Sequence, residues 1–359
     1  MYFSQKLITN KAFLKTDDLS STTMMNTTTI SIPTSLESLL TRLTIYTTIY
    51  GGIFILAAGN LGCVGNILVY RSQTYRHQAC FIYLFWETIA SLFILNCILL
   101  TRILETGFNV SLMNESNAFC RIREFISMVM YQSENTLFLC ATLDRILSAQ
   151  RSKKLRQWSN QVPLAYKIIV ANFVLWIAVS SHRLVFYGNG SGHCDSQEGF
   201  YAAFDHYQDV SLSAIASPLL VIVLAVLLRC TVRSVNQRRA TLKTQGNLQE
   251  TDSQLTIMLL LQSILAIINY VPYGVYILYS MFTKEWVKSS WRVAWEQLII
   301  AFIRLSSYVF AAGTFYVSMV SNPSFRKEFF KIFGIQRGRI ALVHTKAVGN
   351  IVNIRTVAP

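Results

Sequence analysis

Seven stretches that are each long and apolar enough to cross a lipid bilayer constrain the fold of this chain more than any other feature. They run approximately over 43–70, 79–104, 117–150, 163–187, 206–235, 252–283 and 293–320, the longer ones including polar turns at their ends. About 20 apolar residues suffice to cross a hydrocarbon core roughly 30 Å thick. Lipid offers no partner to a backbone N–H or C=O, so each crossing must close its hydrogen bonds internally, as a helix does. The expected fold class is all-α, a seven-transmembrane helix bundle. Composition agrees, because a chain of 359 residues that is 52% hydrophobic and 14% charged has more apolar surface than a soluble domain can hide.

The net charge of +14 could point to nucleic acid, but basic clusters bracketed by membrane-length apolar stretches read instead as topology, so no nucleic-acid partner is expected. Of the 32 Lys and Arg residues, 20 fall in the connections and tail on one side of a seven-span arrangement: Arg71 and Arg76, then six from Arg145 to Lys167, five from Arg229 to Lys243, and seven from Arg326 to Arg355. Only Asp144, Glu250, Asp252 and Glu328 oppose them, which makes that side cytoplasmic by the positive-inside rule. The Asn-x-Ser/Thr glycosylation pattern occurs at Asn26, Asn109, Asn114 and Asn189, all in the opposite set of segments, and it can be used only on the extracellular or lumenal side. Both signals place the N-terminus outside, the C-terminus in the cytoplasm and the chain in the plasma membrane as a multi-pass protein. The organisation expected is an extracellular tail over 1–42, a membrane domain over 43–320 and a cytoplasmic segment over 321–359. The tail is rich in Ser, Thr and Asn and lacks the apolar core of a cleaved signal peptide, so entry into the membrane falls to the first span.

At the inner end of the third span stands Leu143-Asp144-Arg145-Ile146, with Cys120 25 residues earlier at that span's outer end. This arrangement resembles the rhodopsin-like G-protein-coupled receptors, whose third helix starts at a disulfide cysteine and ends in Asp/Glu-Arg-Tyr at this spacing. Ile146 replaces the Tyr. Cys194, in the polar connection between the fourth and fifth spans on the same oxidising side, can join Cys120 in the disulfide that the resemblance implies. The other five cysteines, Cys63, Cys80, Cys97, Cys140 and Cys230, read as packing residues. Gly65-Asn66 looks like the family's first-helix Gly-Asn, and Pro218 falls where its fifth helix carries a proline. Asn269-Tyr270-Val271-Pro272 resembles the family's Cys-Trp-x-Pro, with Tyr270 in place of the tryptophan and Pro272 able to act as a hinge or as a packing kink. The seventh span lacks Asn-Pro-x-x-Tyr, and Tyr316 in Ala311-Ala312-Gly313-Thr314-Phe315-Tyr316 is the nearest equivalent. Asn322 to Phe333 has apolar and basic residues at helical spacing, like the family's short amphipathic eighth helix.

What the resemblance implies is a receptor that converts an extracellular ligand into activation of a heterotrimeric G protein. Asp144 and Arg145 form the expected activation switch together with Tyr270, Pro272 and Tyr316: a carboxylate holds the Arg in one state and releases it in another. Alternatively Arg145 is an interfacial side chain that reaches for water. Glu124, Ser127, Met128 and Tyr131 are expected to face the ligand pocket. Ser127 stands where amine receptors of the family carry their Asp, which disfavours a monoamine. Asp195, Glu198, Asp205 and Asp209 form an acidic mouth suited to a basic peptide, such as a neuropeptide, or they simply solvate a loop. Ser91 occupies the place of the family's sodium-binding Asp, and Glu134, three turns above Arg145, is a candidate ion or proton site. Glu134 or Glu87 could instead pair with Arg304 or be neutralised by burial. The basic inner loops suit anionic membrane lipids as well as a G protein. No enzyme is expected, because His77, His182, His193, His206 and His344 are scattered; no metal site and no cofactor are expected either. The alternatives are a chemosensory receptor of the same fold and, with less support because no internal repeat is visible, a multi-span transporter.

Overall fold

A computed structural model describes residues 34–110, 112–150, 152–159, 161–190, 194–241, 248–283 and 286–334. Asn26 and the segment 335–359 lie outside the described residues. The described chain is all-α apart from one two-stranded hairpin. Its long helices are α1 (34–70), α2 (Ala79–Phe108), α3 (Asn117–Ser148), α4 (Val162–Phe186), α5 (200–241), α6 (Leu248–Phe282) and α7 (Ser290–Ser321), and a ten-residue helix, α8 (Pro323–Ile332), follows. Three of them carry a π-helical turn: Thr47–Gly51 in α1, Ile94–Leu99 in α2 and Val210–Ala216 in α5.

Six helices, α1, α2, α4, α5, α6 and α7, are long and apolar enough to cross a membrane. The long helix outside that set is α3, which the sequence reading had counted as a span. Its composition is the reason: Gln132, Ser133, Glu134 and Asn135 interrupt its apolar middle, and Arg121, Arg123, Glu124, Asp144 and Arg145 lie toward its ends. Packing explains how such a helix is tolerated. α3 runs through the middle of the bundle, against α2, α4 and α5, and most of its charged side chains are buried there.

The bundle has an apolar core that also holds many polar groups, and its outward faces are apolar. The interior holds Asn66, Glu87, Ser91, Gln132, Glu134, Asn135, Gln262 and Asn269, while Tyr50, Phe54, Leu61, Val170, Val174, Ile268, Phe302 and Val320 stand outward and exposed. Lipid makes an outward apolar side chain favourable and drives polar groups to satisfy one another inside.

Several boundaries differ from the sequence reading. The first described helix runs on from Thr34, so residues 34–42 are helical; Leu40 there is buried and the segment packs on α7. The fifth helix begins at Phe200, which places Asp205 and Asp209 on a helix and not in a loop. α1 closes tightly on α7: a Cβ on Gly65 would lie 2.4 Å from Phe315 Cε2, so only glycine fits there. A Cβ on Gly274 of α6 would meet the Ala214 carbonyl oxygen of α5 at 2.8 Å, beside the π-helical turn.

Candidate functional site

At one end of α3, Ser116 caps the helix by accepting a hydrogen bond from the Phe119 N–H, and Cys120 begins its buried face. Cys120 is bonded to Cys194, 74 residues away, with their Cα atoms 5.6 Å apart. The bond ties the hairpin of Tyr187–Gly188 and Asp195–Ser196 to this end of the bundle, where Met113 and Tyr187 pack round the two sulfurs. Asn114 completes the fastening. Its Oδ1 accepts from the Cys194 N–H (3.2 Å) and its carbonyl accepts from Asn189 Nδ2 (3.1 Å). Asn109 is the left-handed C-cap of α2 just before this turn. Asn109, Asn114, Asn189 and the disulfide therefore share one end of the molecule.

Below the hairpin lies a cavity between α3, α5, α6 and α7. Glu124, Ser127, Met128 and Tyr131 line it from α3, as do Gln132 and Asn135 deeper down the same helix. Ser213 and Ser217 of α5, Tyr270 and Tyr273 of α6, and Ser307 of α7 supply the other walls. The polar side chains of α3 are anchored to α5: Gln132 Nε2 donates to Ser213 Oγ (3.2 Å) and Asn135 Nδ2 to Ser217 Oγ (2.7 Å).

Arg183 organises the upper wall. Its Nε donates to Asp205 Oδ1 at 2.9 Å, one guanidinium nitrogen reaches Asp209 Oδ1 at 2.8 Å, and the other stands 3.9 Å from Glu124 Oε2. Glu124 also pairs with its neighbour Arg123. The Tyr187 hydroxyl donates to the second oxygen of Asp205 (2.6 Å), and the Arg183 guanidinium lies over the Tyr187 ring. The acids read as an open mouth are thus largely engaged within the protein: Asp205 and Asp209 by Arg183, and Asp195 by the Ser196 N–H. Glu198 alone of the four is exposed.

Midway along α3, Ser91 of α2 donates to Glu134 Oε1 (2.6 Å), and the Glu87 carboxylate lies 3.5 Å from the same hydroxyl. Two fully buried carboxylates from two helices therefore meet at one serine.

At the far end of α3, Arg145 pairs with Asp144, its Nε 3.0 Å from Asp144 Oδ2. Ser159, in the turn that follows the next short helix, donates to Asp144 Oδ1 or to its carbonyl (3.1 and 2.9 Å). All three residues are buried. Tyr270 lies between the two ends, its ring 5.4 Å from Phe310, which stacks edge-on to Phe138 of α3 at 5.2 Å. Pro272 sits inside α6, where it lacks the N–H that would bond the carbonyl one turn back. Tyr316 is elsewhere: it faces outward, and its hydroxyl donates to the Ala58 carbonyl of α1 (2.9 Å). The inward position on that stretch belongs to Thr314 and Ser318, which bond Asn66 and Gln262.

Sequence reasoning passed over Arg183, Asn135 and Ser159. Arg183 carried a signal, since a lone Arg at the end of an apolar run requires a partner; the two others did not, because a single Asn or Ser has no pattern. No protein-family model matches the chain and no curated protein matches it, so the family resemblance rests on the residues above.

Proposed function

We propose that the chain is a divergent rhodopsin-like G-protein-coupled receptor, in which α3 is the seventh membrane crossing and α8 lies along the inner membrane surface. The observation that carries this reading is the layout of α3. One buried helix bears the disulfide and the cavity at one end and the Asp144–Arg145 pair at the other. A ligand in the cavity touches the same rigid rod whose far end holds the switch, and Tyr270, Phe310 and Phe138 give a packed route between them. Release of Arg145 from Asp144, whose carboxylate Ser159 helps to hold, would free the guanidinium for a heterotrimeric G protein.

The sequons at the disulfide end and the basic residues at the other support an orientation with the N-terminus outside the plasma membrane and the C-terminus in the cytoplasm. Arg326, Lys327 and Lys331 of α8 suit anionic lipid headgroups, with Phe325 and Phe329 packed on Tyr70 and Phe315. The ligand remains of peptide type in this reading, although the inward pairing of Asp205 and Asp209 shifts the recognition from an open acidic mouth to the cavity itself. A chemosensory receptor would share every element except the ligand.

The test is G-protein activation in cells expressing the chain, screened against a peptide library, with Arg145→Ala as the control. A response lost in the variant at equal surface expression supports the reading; one that persists unchanged removes Arg145 from the mechanism.

A further inference from the structure

The inner end of the cavity, between α3 and α5, holds a buried acceptor whose direction its neighbours fix. The Ser217 hydroxyl donates its one hydrogen to the Leu212 carbonyl at 2.8 Å, so toward Asn135 it can only accept. The Asn135 amide therefore turns its NH2 to Ser217, at 2.7 Å, and its Oδ1 away from it. That oxygen is buried and accepts from no described residue, and Asn135, 7% exposed, lines the cavity. A ligand that covers such an oxygen without giving it a hydrogen leaves it unsatisfied, which makes Asn135 Oδ1 a point of discrimination.

One turn away on α3, Gln132 Nε2 stands 3.2 Å from Ser213 Oγ, and both residues line the same cavity. The amide and the hydroxyl together carry more hydrogens than their one bond uses, and neither side chain makes another hydrogen bond among the described residues. Hydrogens are therefore left on this pair whichever way the Gln132 amide is turned. Gln132 and Asn135, three positions apart, are neighbours on one helix face, with about 5–6 Å between their Cβ atoms. The inner end thus sets a donor beside an acceptor, with the rings of Tyr270 and Tyr273 as an aromatic wall. None of these six residues carries a charge. Glu134, the sequence neighbour of Asn135, is engaged with Ser91 of α2. An ammonium or a carboxylate brought here sheds its water with no opposite charge among the six, and a carboxylate also lacks the hydrogen that Asn135 Oδ1 takes.

We propose that the inner end of the cavity takes an uncharged carboxamide, its N–H given to Asn135 Oδ1 and its carbonyl accepting from the Gln132–Ser213 pair. The proposal rests on reading the cavity as the ligand pocket. For a peptide ligand it means that the inserted end is a carboxamide, and not a free carboxylate, an ammonium or a basic side chain.

Saturation-transfer NMR titrations on the purified full chain in detergent test this with four probes of one size. Hydrocinnamamide has the donor and the acceptor. Its N,N-dimethylamide keeps the acceptor and lacks the donor, hydrocinnamate is the anion, and phenylpropylammonium is the cation. Hydrocinnamamide is expected to bind at least about fivefold tighter than each of the others, the effect of one buried hydrogen bond. Asn135→Leu is expected to erase the difference between the amide and the dimethylamide, with Asn135→Thr as the second variant where the leucine chain is not monodisperse. Equal binding of amide and dimethylamide to the unaltered chain overturns the proposal. So does tighter binding of either ion, a preference for the amide that survives in both variants, or saturation transfer to none of the four. If the probes rank as expected but no peptide activates a G protein, the receptor reading fails and the carboxamide site stands. If peptides do activate and the ranking fails, the carboxamide site alone is wrong.

Discussion

Replacing Arg183 by Ala removes the one guanidinium that bridges α3, α4 and α5. It stands 3% exposed, 2.9 Å from Asp205 and 2.8 Å from Asp209, with Glu124 at 3.9 Å. The loss is not shared equally. Asp205, with 6% of its side chain exposed, keeps the Tyr187 hydroxyl among the described residues, whereas Asp209 is partly screened by solvent and Glu124 keeps Arg123. Breaking a buried pair from one side costs about 3–5 kcal/mol because a desolvated charge remains. With Tyr187 still bonded, the lower end of that range applies, about 3 kcal/mol. At about 1.3 °C per kcal/mol for a chain of 359 residues, the thermal midpoint of the detergent-solubilised protein should fall by about 4 °C at a fixed scan rate. Adding Asp205→Asn removes the stranded charge and should recover at least about 1 kcal/mol, the signature of coupled residues. A midpoint for Arg183→Ala within about 2 °C of the unaltered protein, or no recovery in the double variant, would refute this account of the upper wall.

Gly65→Ala gains about 1 kcal/mol of helix propensity but forces a methyl to within 2.4 Å of Phe315, whose ring is held by Phe325 and Phe329; overpacking of about 1–3 kcal/mol prevails, and a lower thermal midpoint is expected, with an unchanged or higher one contradicting the α1–α7 packing. Ser159→Ala deletes a hydroxyl that bonds Asp144 in this state, so basal G-protein activity should rise by up to about tenfold, the value of one hydrogen bond to a charged group; a fall at equal expression argues against Ser159 as a restraint. Asn109→Gln, at a position exposed on the surface beside the disulfide end, should lose one glycan step on a glycosidase-sensitive gel, and a species that carries no glycan before or after the change contradicts an outside location for that end.

How far the sequence could be read depends on which physical signal is local. Apolar runs are local, and six of the seven stretches form helices with spanning length and composition. α3 was legible as a helix but not as a lipid-facing one, because its charges make sense only when α2, α4 and α5 surround it. The Cys120–Cys194 bond and the pairing of Arg145 with Asp144 are what the resemblance implies, and both contacts are present in the structure. Tyr316 shows the limit: its helix is as expected, but two residues' difference in helical phase turns it to α1 and gives the interior to Thr314. The meeting of Glu87 with Glu134 at Ser91 and the salt-bridge cluster around Arg183 depend on side chains far apart in the chain. No periodicity encodes such contacts.

Whether α3 crosses the membrane decides the account, because six crossings put the two ends of the chain on the same side and seven put them on opposite sides. Epitope tags at the N- and C-termini, stained in intact and in permeabilised cells, read this directly. The seven-helix receptor predicts an N-terminal tag stained on intact cells and a C-terminal tag stained only after permeabilisation. Both tags accessible, or both protected, in intact cells would contradict it.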